Sequence, residues 1–144
     1  MPPKELSPKV IVVADTGDAF RADVLVEGLR AEAAARGWGE RLRVLAGRPA
    51  SVAGDGGASG DFEAADLIVV VGKAEAALMI ETPEAEGKMV LALSETLPEE
   101  EPGTELLDDP STPPPAFAEA VSAAMPFLLR KLVAGPAYRA FRPR

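Results

Sequence analysis

The sequence predicts an α/β domain on a four-stranded, mostly parallel sheet, ordered 2-1-3-4, with helices on both faces. Three observations carry this. Short, continuous apolar runs at Lys9–Ala14 (KVIVVA) and Leu67–Val71 have the composition of strands buried on both faces. Helical stretches alternate with them, and alternating strand and helix patterns build parallel sheets through right-handed crossovers. The length of 144 residues suits one domain with one core.

The elements follow in order. After the first strand, Asp15-Thr16-Gly17-Asp18 reads as a turn and a helix start. A helix is expected over residues 19–36, with Phe20, Val24, Leu25 and Leu29 on its apolar face and Gly37 as its stop. Leu42–Ala46 reads as an edge strand, and the glycine-rich stretch 47–60 as a loop. Residues 61–65 suit a single helical turn before the third strand; Lys73–Ile80 is helical, and Lys88–Leu93 is the fourth strand. Residues 94–115, rich in proline and acids, are expected to be irregular. In the last helix, over 116–133, Phe117, Val121, Met125, Leu128 and Leu132 form one stripe, and Pro126 is expected to kink or split it. Trp38 is expected to pack over a helix end. Residues 1–135 then form the domain and 136–144 a basic tail.

Composition excludes several chemistries. The chain has no Cys and no His, which removes thiolate nucleophiles, imidazole bases and the commonest zinc ligands. A net charge of −8 opposes nucleic-acid binding. The apolar runs are too short to span a bilayer, and residues 1–8 lack the apolar core of a signal peptide, so a cytoplasmic, non-membrane protein is expected. Residues 130–144 carry Arg130, Lys131, Arg139, Arg142 and Arg144 with no acid; such a tail beside an acidic body points to contacts within the chain or between chains, as in a homodimer.

In parallel sheets ligands bind beyond the carboxyl ends of the strands. This directs attention to residues 15–21, where a helix N-terminus offers N–H groups and Arg21 offers a fork for an oxyanion. Here VVADTGDAFRADVLVEGL resembles the phosphate loop and following helix of the low-molecular-weight protein tyrosine phosphatases. DFEAADLIVVVGKAEAALM resembles that family's approach to its third strand. LLDDPSTPPPAFAEAVSAAMPFLLRKL resembles its Asp-Pro loop and last helix, shared with related arsenate reductases. The resemblance implies a phosphotyrosine-phosphatase-I-like fold. Thr16, Gly17 and Arg21 match the loop pattern, but Asp15 stands where the family has its nucleophilic Cys, Asp18 where it has Asn, Phe20 at its second Cys and Ala22 at its Ser. Asp109-Pro110 falls on the general-acid Asp-Pro.

The expectation that follows is a phosphatase-like pseudoenzyme without thiol catalysis. In it, Thr16, Gly17, Asp18 and Arg21 bind a small anion or help hold a protein partner. The alternative is a phosphate-ester hydrolase or phosphotransferase with Asp15 as nucleophile and Asp109 as general acid. No cofactor is expected, with Mg²⁺ on Asp15, Asp18 and Asp109 as the one variant considered. A further expectation pairs Arg21 with Asp15, Asp18 or Asp109. As a plain structural element, the loop is a helix start with Asp18 as N-cap.

Overall fold

The computed structural model describes residues 10–38, 42–50, 62–98 and 103–133. Its strands are β1 (Val10–Ala14), β2 (Arg43–Gly47), β3 (Leu67–Val70) and β4 (Val90–Ala92); its α-helices are α1 (Ala19–Ala35), α2 (Lys73–Ile80), α3 (Gly103–Asp108) and α4 (Pro114–Val133). The strands form one sheet in the order β2-β1-β3-β4, and every neighbouring pair is parallel. The expected order and direction are both present.

Successive side chains of a strand point to opposite faces. Ile11, Val13, Leu67 and Val69 enter one core beneath α1 and α4, while Val12, Ala14, Ile68 and Val70 enter a second with Phe62, Ala76 and Met79. All four residues of β3 are fully buried. Two apolar faces leave no position for a polar residue, which is why these strands read as unbroken apolar runs.

On α1 the buried face is Ala22, Leu25, Val26, Leu29 and Ala33. The expected stripe was turned slightly too far: Val24 is half-buried, and Phe20 is 46% exposed, its ring 5.9 Å from that of Phe117. The helix ends as expected at Gly37 (φ +78°), with Trp38 N–H donating to Ala33 O and Gly37 N–H to Ala34 O. Trp38 packs against the core at this end.

On α4 the expected stripe is buried throughout. The helix is continuous across Pro126, which does not split it. Pro126 and Ser122 both lie on the exposed face, where water can satisfy the carbonyl that a proline leaves without its N–H partner.

Three further expectations need correction. The fourth strand is shorter than Lys88–Leu93, because Leu93–Thr96 turns into a 3-10 helix. The stretch 94–115 is not wholly irregular: α3 lies within it and buries Leu107. Phe62–Ala65 is a turn closed by Ala65 N–H to Phe62 O rather than a full helical turn. Most of the glycine-rich loop and all of the basic tail 136–144 lie outside the described residues.

Gly47 closes β2 where Phe62 crosses it. A Cβ there would come within 2.8 Å of both Phe62 and Val12. Gly47→Ala is therefore expected to lower stability by about 1–3 kcal/mol through overpacking, read as an earlier denaturation midpoint in urea with an unchanged slope.

Candidate functional site

Because every strand is parallel, their carboxyl ends share one rim. It carries Asp15 after β1, Arg48 after β2, Gly72 and the start of α2 after β3, and Ser94 after β4. The α3–α4 connection, with Asp108 and Asp109, closes over the same rim through contacts described below.

Asp15 is buried, and its N–H continues the β1–β2 ladder to Gly47 O at 2.7 Å. Its side chain turns back into its own loop. Oδ1 accepts from Gly17 N–H at 2.8 Å, and Oδ2 accepts both Nε (3.1 Å) and Nη2 (2.6 Å) of Arg48. Gly17 has φ +130°, a region that L side chains rarely adopt, so this turn requires glycine. Asp18 is the N-cap of α1: its backbone is extended, and Oδ1 accepts from Arg21 N–H at 3.3 Å. Thr16 is half-buried beside them.

Arg21 is only 5% exposed. Its guanidinium donates Nη2–H to Glu75 Oε1 at 2.8 Å and Nε–H to Glu75 Oε2 at 3.4 Å. Nη2 also reaches Leu107 O at 2.5 Å and Nη1 reaches Asp109 O at 3.2 Å. The Phe117 ring lies 4.9 Å from the guanidinium carbon, within cation–π range. The expected pairing with Asp15, Asp18 or Asp109 is therefore corrected: the acid is Glu75. The reason is competition. Asp15 is taken by Gly17 and Arg48, Asp18 by the helix start, and the Asp109 carboxylate by Ser111, whereas Glu75 faces Arg21 across the rim.

Glu75 itself is held by the helix it belongs to, since Oε1 also accepts from Gly72 N–H at 2.8 Å. Asp108 adds a second tie to the same helix start. Its Oδ1 accepts Lys73 N–H at 3.0 Å and the Ser94 hydroxyl at 2.7 Å. Gly72 makes this approach possible: a Cβ there would lie 3.1 Å from Asp108 Oδ1, Glu75 Oε1 and Leu107 O. Asp109 Oδ1 accepts both the N–H (2.9 Å) and the hydroxyl (2.7 Å) of Ser111. These two bonds hold its carboxyl below the ordinary carboxylate range, with a smaller contribution from the Arg21 charge.

The rim thus gathers Asp15, Thr16, Gly17, Asp18 and Arg21 in one loop and brings Asp109 beside them through its backbone. Arg48 and Glu75 are the participants that sequence reasoning missed. The signal was the topology: each follows the carboxyl end of a strand parallel to β1. Chemically, the arrangement is two ion pairs, Asp15–Arg48 and Arg21–Glu75, in place of an open oxyanion cradle. Among the described residues no group of three acids is close enough to hold a metal ion. None of the described helices is long and apolar enough to cross a membrane. No protein-family model matches the chain, and no curated protein does.

Removing Arg21 leaves the Glu75 carboxylate and two carbonyls without their cation. Arg21→Ala is expected to cost about 3–5 kcal/mol, measured by urea unfolding, and Arg21→Lys to recover only part, because an ammonium cannot reproduce the fork. Ser111→Ala keeps the N–H bond to Asp109 and loses only the hydroxyl, so it is expected to move the Asp109 carboxyl only part of the way back up, as read by NMR titration. Since that pKa is depressed in the folded protein, its contribution to stability is present above the ordinary carboxylate value of 3.8 and is lost as pH falls through the lower, folded one. The variant should show a smaller acid-side loss.

Proposed function

We propose that this chain is a phosphatase-like pseudoenzyme: a relative in fold of the low-molecular-weight tyrosine phosphatases whose phosphate loop is neutralised from within and serves binding or assembly rather than hydrolysis. The observation that carries the reading is the Asp15–Arg48 pair. Where the resembled family needs a thiolate aimed at an incoming phosphate, this chain has a carboxylate with both oxygens already engaged. The neighbouring Arg21, which would clamp the oxyanion, spends its fork on Glu75 and two further N–H groups on carbonyls.

The hydrolase alternative asks more of the same residues. A carboxylate nucleophile needs a lone pair directed at phosphorus, and the three bonds from Gly17 and Arg48 draw charge from both Asp15 oxygens and leave few positions open. A general acid must hold a proton near neutral pH, whereas the bonds from Ser111 lower the Asp109 carboxyl further from that range. A phosphate dianion at the loop would also face the Asp18 carboxylate, a repulsion of about 1–4 kcal/mol per pair of unit charges at ~4 Å for a dielectric between that of water and that of a protein surface. The exposed part of the rim carries the acids Asp18 and Asp109 and the Phe20 ring, with the cations Lys73 and Arg48 beside them. Mixed charge around an exposed ring suits a protein partner better than a small anion.

The test is hydrolysis of a small aryl phosphate, with and without Mg²⁺, by the unaltered protein and by Asp15→Asn. The expected result is no turnover above buffer in any arm. Turnover that requires Asp15 and disappears in Asp15→Asn would establish the hydrolase instead. In calorimetry, orthophosphate is expected to bind no more tightly than millimolar, and saturable micromolar binding would contradict the neutralised loop.

A further inference from the structure

The outer side of β2 is an open sheet edge among the described residues, since β2 is the terminal strand of the order β2-β1-β3-β4. Which of its backbone groups face outward follows from one hydrogen bond. Gly47 O accepts from Asp15 N–H, so the Gly47 carbonyl points toward β1. Backbone direction alternates along a strand. The carbonyls of Leu45 and Arg43 therefore also face β1, and those of Val44 and Ala46 face away from it. An outward row of this kind is a template for another strand.

One side chain covers it. Arg30 reaches from α1 to the β2 edge and donates both Nε–H (3.0 Å) and Nη2–H (2.7 Å) to Val44 O. Both donors of the fork thus converge on a single outward carbonyl. Beside it lies a groove of about 330 Å³ lined by Arg30, Ala33, Leu42, Arg43, Val44 and Leu45. The groove marks the space an added strand would enter, and the Arg30 side chain lines it.

We propose that Arg30 is a strap that keeps the β2 edge closed to strand addition by a second copy of this chain. A second copy is the occupant to be excluded because the edge is identical on every molecule, and pairing two such edges about a two-fold axis would join two sheets into one. Arg30 opposes this in two ways. An incoming N–H must displace a charge-assisted, two-donor interaction to reach Val44 O. A two-fold pairing would also bring the exposed Arg43 and Arg30 of both copies to the same seam, where like charges repel.

The experiment compares the full chain with Arg30→Ala, Arg30→Gln and Arg30→Lys by light scattering over a range of concentrations and by amide exchange at Val44 and Ala46. Arg30→Ala and Arg30→Gln, which lack the charge and the fork, are expected to gain a concentration-dependent dimer in which those two amides exchange more slowly. Arg30→Lys, which keeps a cation over the edge but not the fork, is expected to associate less than either neutral variant. If one of the two neutral variants fails to fold, the other decides. The proposal is overturned if a folded neutral variant keeps the mass of the unaltered protein throughout. It is equally overturned if the variant associates with no slowing at Val44 and Ala46, or if Arg30→Lys associates as readily as Arg30→Ala.

Discussion

A guanidinium cannot be deprotonated, so once Arg21 is buried its positive charge must be answered on the spot. That constraint organises the whole carboxyl rim. Glu75 supplies the charge from the first turn of α2, Leu107 and Asp109 supply carbonyls from the end of α3, and Phe117 supplies an aromatic face from α4. One side chain from α1 therefore ties together every other α-helix described. Gly72 is small because Glu75, Leu107 and Asp108 must all approach its Cα, and Asp108 spends its carboxylate on Lys73 N–H and Ser94 to hold that approach.

The Asp15 pair is a second, smaller version of the same arrangement. A carboxylate buried at the end of β1 would be costly if left alone. Here the loop's own Gly17 N–H and the Arg48 fork from the neighbouring strand answer it. Arg48 remains 43% exposed along its side chain, so solvent screens this pair more than the Arg21 pair. The rim consequently has a more buried half, centred on Arg21, and a more solvated half, centred on Asp15 and Asp18. An open phosphate cradle would need the reverse: unpaired donors at the loop and a free guanidinium above it.

Much of the fold was legible in the residues because two faces of burial leave a plain mark. Val10–Ala14 and Leu67–Val70 carry no polar residue since neither face meets water, and Phe117, Val121, Met125, Leu128 and Leu132 recur at helical spacing since one face of α4 does not. What was not legible depends on tertiary contact. The α3 helix is a single short segment between prolines, whose amphipathic signal is one buried Leu107, so composition argued for a loop. Phe20 looked like a core residue by spacing and is held at the surface against Phe117 instead. At the site, the loop residues 15–21 could be located from the strand–turn–helix order, but their partners could not. Nothing local to Arg21 distinguishes Glu75 from Asp15, Asp18 or Asp109. The choice is made by which carboxylates are already satisfied, a property of the assembled rim.

The central claim is that Arg21 is a structural clamp and not a ligand for oxyanions. The most direct measurement follows the ¹H–¹⁵N resonances of the Arg21 guanidinium while orthophosphate is added to the unaltered protein. A guanidinium held by Glu75, Leu107 and Asp109 should show distinct, slowly exchanging Nε and Nη signals that do not move through millimolar phosphate. Averaged Nη signals in the free protein, or a saturable shift of Nε on adding phosphate, would mean that the clamp is open and that the loop binds anions after all.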